Sequence, residues 1–144
     1  MREILFKGKT EDGEWVEGSL FVYNKDNCLI ITKEDADWSY VSSGVYDGSI
    51  TEVQKDTICQ YTGLTDKNGN KIWENDILIY DNSPYNVYCT PHKGEIVCRN
   101  GCLCFKYWLY GSTNYMPFTA DVFFDKKSEV IGNIFDNPEL LKGE

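Results

Sequence analysis

The chain has 144 residues, of which 42% are hydrophobic and 15% aromatic, too rich in core-forming side chains for a disordered segment. Fourteen basic residues against 23 acidic ones leave a formal charge of −9, which repels phosphate backbones at long range and argues against general duplex binding. The start, Met1-Arg2-Glu3-Ile4-Leu5-Phe6-Lys7, places an acid early and a charge soon after, so neither a secretion signal nor a spanning helix is expected there.

Strand signals then dominate in chain order. Segments 4–10 and 15–23 flank Glu11-Asp12-Gly13-Glu14, a hairpin turn. Asn24-Lys25-Asp26-Asn27 breaks the chain before Cys28-Leu29-Ile30-Ile31-Thr32, a short buried strand. The acids cluster only at Glu34-Asp35-Asp37, and segment 39–52 reads as loosely ordered strands. A hairpin block spans 57–80, with Asn68-Gly69 set to form a type I′ turn, a bend at Glu74-Asn75-Asp76 and the apolar run Ile77-Leu78-Ile79-Tyr80. Segment 81–93, with Pro84 and Pro91, reads as a long loop. A hairpin over 94–110, a loop over 111–117 and strands over 118–124 and 129–135 follow. Only the end looks helical, with Asn137 as cap, Pro138 in the first helical position and Glu139 at the positive end of the dipole. The pattern predicts a mainly β fold, either a small SH3-like β-barrel or two packed antiparallel sheets, closed by a short C-terminal helical turn.

Asp66, Asn68 and Asn70 sit at the first ligand spacings of an EF-hand loop, but Lys71 and Ile77 occupy the positions that need Gly and a bidentate Glu. Cys89, His92, Cys98, Cys102 and Cys104 could supply four zinc ligands. A two-residue turn at Asn100-Gly101 argues against that set. It pairs Cys98 with Leu103 and Val97 with Cys104, and alternation then sends Cys98 away from Cys102 and Cys104 onto a core face with Ile96, Leu103 and Phe105. The only histidine, His92, reads as a solvated loop residue, and Cys89 with His92 lacks an orienting partner for nucleophilic catalysis. No phosphate loop, nucleophile elbow or paired-His motif is present, so no enzyme activity, metal or cofactor is expected.

Three blocks carry a resemblance: FKGKTEDGEWVEGSL from Phe6, QYTGLTDKNGNKIWENDI from Gln60, and EVIGNIFDNPELL from Glu129. On them the chain resembles the YopX family of phage and prophage proteins, whose pattern more often has Gly at the position of Asn75. The resemblance implies a small, mainly β protein that assembles as a homo-oligomer, and it implies no activity. The expected organisation is a single YopX-like domain over 1–144, with a subdivision near 54–56.

Aromatic residues supply the binding lead. Tyr85, Tyr88, Tyr107, Trp108, Tyr110, Tyr115 and Phe118 crowd one region, with Trp38 and Tyr40 as weaker candidates. The expected function is that of an accessory protein in the bacterial host cytoplasm. It would act by protein binding or self-assembly, on itself or on a host protein, with no membrane and no nucleic-acid partner. An acidic mimic that inhibits a host nucleic-acid enzyme is the second expectation, and a zinc- or cysteine-dependent enzyme the third.

Overall fold

The computed structural model describes residues 3–32, 49–81, 91–119 and 127–142. The expectations placed on 33–48, 82–90 and 120–126 lie outside the described residues, as do Trp38, Tyr40, Tyr85, Tyr88 and Cys89. The chain divides into two compact units, Met1–Tyr61 and Thr62–Glu144.

In the first unit, β1 (Phe6–Lys9) and β2 (Trp15–Val22) form a hairpin, followed by β3 (Cys28–Ile31) and β4 (Ile50–Val53). The order is β4-β3-β2-β1-β5, with β5 being Cys59–Thr65, and every pairing is antiparallel. The first turn closes with Thr10 N–H on the Glu14 carbonyl at 2.9 Å, and Gly13 takes the left-handed conformation (φ 86°) that a three-residue loop needs at its end. Strand β3 lies between β2 and β4, carries no polar side chain in its buried stretch, and is buried through Cys28, Leu29 and Ile30. Cys28, Ile30 and Val53 pack with Phe6, Val16, Leu20 and Ile58 as the main core of this unit. A 3-10 turn over Lys55–Thr57 leads into β5.

In the second unit, β5 continues to Thr65 and borders β6 (Lys71–Trp73). The turn between them is a three-residue loop and not the type I′ turn expected of Asn68-Gly69. Asp66 N–H donates to the Asn70 carbonyl at 2.8 Å, and only Gly69 has positive φ (82°). The cause is Asp66, whose carboxylate collects the amides of Asn68 and Asn70, each at 2.9 Å, and folds the chain back one residue early. A five-stranded antiparallel sheet follows in the order β10-β9-β8-β7-β11. It is built from β7 (Asp76–Tyr80), β8 (His92–Arg99), β9 (Cys102–Leu109), β10 (Ser112–Pro117) and β11 (Ser128–Asn133). Ile72, Leu78, Tyr80, Ile96, Phe105 and Phe118 form its core.

Among the described residues the strands form two antiparallel sheets, and neither closes into the barrel of the SH3-like alternative. Two boundaries also differ from expectation. His92 and Lys93 belong to strand β8, and 112–117 is a strand where a loop was expected. The polar sequence Ser-Thr-Asn-Tyr hides β10 because an edge strand needs only one half-buried face, here Asn114 and Met116. The C-terminal end is a 3-10 turn over Pro138–Leu141. Among the described residues no helix is long and apolar enough to cross a membrane.

Candidate functional site

The site grows from two consecutive hairpins. Asn100 (φ 54°) and Gly101 (φ 81°) make a type I′ turn between β8 and β9. It fixes Arg99 opposite Cys102, Cys98 opposite Leu103, Val97 opposite Cys104, Ile96 opposite Phe105 and Glu95 opposite Lys106, the register expected from the dipeptide. Tyr110 (φ 51°) and Gly111 (φ 77°) then make a second turn of the same kind, which sets Trp108 opposite Thr113 and Lys106 opposite Tyr115 on β10.

Strand alternation sorts the candidate residues onto two faces. Tyr107 lies on the core side, stacked on Phe105 at 5.6 Å and beside His92 at 5.0 Å, so it is a packing residue and not an exposed one. Phe118 is buried in the same core. Trp108 (43% exposed) and Tyr115 (38%) lie on the opposite, outward face, and Tyr110 stands at the hairpin tip 97% exposed. The seven-residue aromatic cluster of the sequence is therefore three outward rings and two core rings among the described residues.

Basic residues surround the outward rings. The Arg99 guanidinium lies 3.9 Å from the centre of the Tyr115 ring, a cation–π contact. Lys106 Nζ meets Glu95 Oε1 at 3.5 Å. Lys93, Glu95, Lys106, Trp108, Thr113 and Leu141 line a shallow groove of about 240 Å³ along this face. Composition and motif spacing do not single out Arg99 and Lys106. The signal that finds them is the register itself, which puts both on the face of Trp108 and Tyr115.

The thiols divide as the register requires. Cys98 points to the core side of the hairpin but lies beside its turn and is exposed, where a buried position was expected. Cys102 and Cys104 point outward, exposed and half-buried. His92 shares the side of Cys98 but stands six residues away on the same strand, about 20 Å along it. No group of three or more His, Cys, Asp or Glu side chains that could hold a metal occurs among the described residues. The arrangement offers stacking, cation–π contact, charge and bare main chain, which are the means of a binding surface.

An open, antiparallel β protein with an aromatic, basic-rimmed hairpin face defines the class. The chain belongs to the YopX family, whose model (YopX protein) matches residues 6–142. It is also similar to protein EF1440 from Enterococcus faecalis, known from a crystal structure, with 26% identity and a TM-score of 0.52 over 99% of this chain and 100% of that one. No curated protein matches it.

Proposed function

We propose that the chain is a phage or prophage accessory protein of the host cytoplasm that acts by binding protein, including other copies of itself, and not by catalysis. The observation that carries this reading is the set Trp108, Tyr110 and Tyr115, three exposed rings on one pair of hairpins. Isolated surface aromatics are ordinary, but large rings held on a rigid sheet resemble the anchors that dominate protein interfaces. Tyr110 adds weight, since a bulky residue at positive φ is uncommon outside turns that a structure over-determines. The chain's YopX membership supports the reading only by offering no reaction in its place.

Native mass spectra of the wild-type chain and of Trp108→Ala, purified without chelator, test the proposal. The wild type is expected as a discrete assembly that Trp108→Ala weakens at an unchanged melting temperature. A monomer that carries a reproducible metal or nucleotide mass would overturn it. So would a monomer that captures the same proteins from a bacterial lysate as Trp108→Ala does.

A second reading, an acidic mimic, draws on a hollow of about 300 Å³ in the first unit lined by Glu11, Asp26, Glu52, Val53, Gln54 and Lys55. Its rim sets one cation, Lys55, among three acids, and the Lys55 ammonium donates to the Lys25 carbonyl at 3.0 Å.

A further inference from the structure

The two edges of the five-stranded sheet are finished differently. At β11, Lys67 N–H donates to the Ser128 carbonyl at 2.9 Å and Val130 N–H donates to Asp66 Oδ2 at 3.0 Å, so outward main-chain groups are already taken. A register shift between Val130 and Gly132 and an ion pair of Glu129 with Lys67 at 3.4 Å further close that edge to another strand.

The β10 edge has none of these devices. The type I′ turn makes Leu109 and Ser112 the closing hydrogen-bonded pair, and alternation then turns the main-chain groups of Ser112, Asn114 and Met116 toward β9. Phe118 N–H on the Leu103 carbonyl at 2.9 Å continues the same phase. Thr113 and Tyr115 consequently present their N–H and C=O groups away from the sheet, and among the described residues no strand pairs with them. The strand carries no charge, and its single proline, Pro117, comes at its end.

Charge decides what fits there. The whole chain carries −9, yet the outward face of β8 and β9 beside this edge brings Lys93, Arg99 and Lys106 against one acid, Glu95, which pairs with Lys106. A second copy paired edge to edge would bring an uncharged β10 and the same cations, Arg99 and Lys106, against their equals, whereas an acidic strand meets those cations with opposite charge and the bare donors at once.

We propose that β10 is a strand-docking edge for an extended acidic peptide segment of another protein. The segment adds beside β10 by main-chain pairing with Thr113 and Tyr115, and its alternate acidic side chains face Arg99 and Lys106. The proposal rests on the protein-binding reading of this face and names the partner's chemistry.

The test is fluorescence anisotropy of the full chain with labelled peptides of alternating Glu and Val, alternating Lys and Val, and Glu-Val with N-methylated alternate amides. The Glu-Val peptide is expected to bind saturably, and the other two about tenfold more weakly or not at all. Thr113→Pro removes one outward donor without touching the β9 ladder and should weaken binding about tenfold at an unchanged melting temperature. Arg99→Glu should weaken it at least as much. Equal binding of the Lys-Val or N-methylated peptide overturns the proposal, as does wild-type affinity in Thr113→Pro. A wild-type dimer that Thr113→Pro dissociates assigns the edge to a second copy and also overturns it. Should Trp108→Ala lose the peptide while Thr113→Pro keeps it, the edge proposal fails and the face reading stands.

Discussion

The Asp66 carboxylate does at the scale of one residue what a bound cation would do for an EF-hand loop. Its acceptor capacity goes to the amides of Asn68 and Asn70 at 2.9 Å, Asn70 Nδ2 at 3.3 Å and Val130 N–H at 3.0 Å. The ligand-like spacing of Asp66, Asn68 and Asn70 is thus the spacing of an Asx-capped turn. Burial alone would push this carboxyl up, but the hydrogen bonds from Val130, Asn70 and Asn68 hold it below the ordinary carboxylate value. A depressed folded value means stability that is present above the unfolded carboxylate value of about 3.9 and lost as pH falls through the folded one. Asp66→Ala is expected to cost about 2–3 kcal/mol in urea unfolding at neutral pH, because several buried donors lose one charged acceptor. The gap between wild type and Asp66→Asn should hold from neutral pH down to about 4 and shrink below it. A gap that grows on acidification would remove the carboxylate from this role. Asn75 is a second case of local chemistry explaining sequence. Its φ of 70° is one that glycine adopts freely and that asparagine tolerates better than most residues.

At the scale of elements, what the sequence reveals depends on whether a turn announces itself. Asn100-Gly101 does, and the pairing of five residue couples across β8 and β9 follows from that dipeptide alone. Asn68-Gly69 announces a turn but not its kind, since the side chain that decides it lies two residues upstream. Tyr110-Gly111 announces nothing, because tyrosine is a poor residue for a left-handed position, and β10 stays hidden with it. The candidate site is legible in the sequence as a crowd of rings but not as a face, for a crowd has no register. The strained turn makes its own prediction. Tyr110→Asn should raise stability by about 0.5–1 kcal/mol, as the substituted residue suits a type I′ turn, while weakening protein binding. Denaturant midpoints and the assembly assay read the two effects separately. If stability rises and assembly is untouched, the ring at the tip has no part in binding.

At the scale of the whole molecule, the division at Tyr61 falls inside β5 and not in a linker. The first half of this strand belongs to one unit, where Gln60 pairs with Phe6 and Cys59 with Lys7. The second half belongs to the other, where the Thr62 hydroxyl donates to the Ile72 carbonyl at 2.7 Å. A division near 54–56, as the sequence pattern suggests, would instead take Ile58 out of the core formed by Cys28, Ile30 and Val53. Each unit has its own apolar core, yet a cut between Tyr61 and Thr62 leaves both with a chain end in the middle of a strand, where fraying is fast. Fragments 1–61 and 62–144 should therefore each unfold at lower denaturant than the full chain, and the full chain should unfold in a single transition. Circular dichroism and tryptophan fluorescence on all three chains check this. Coincident curves for the full chain, with both fragments shifted to lower denaturant, mark one cooperative domain. Fragments as stable as the parent would mean that β5 only passes through two domains that fold alone.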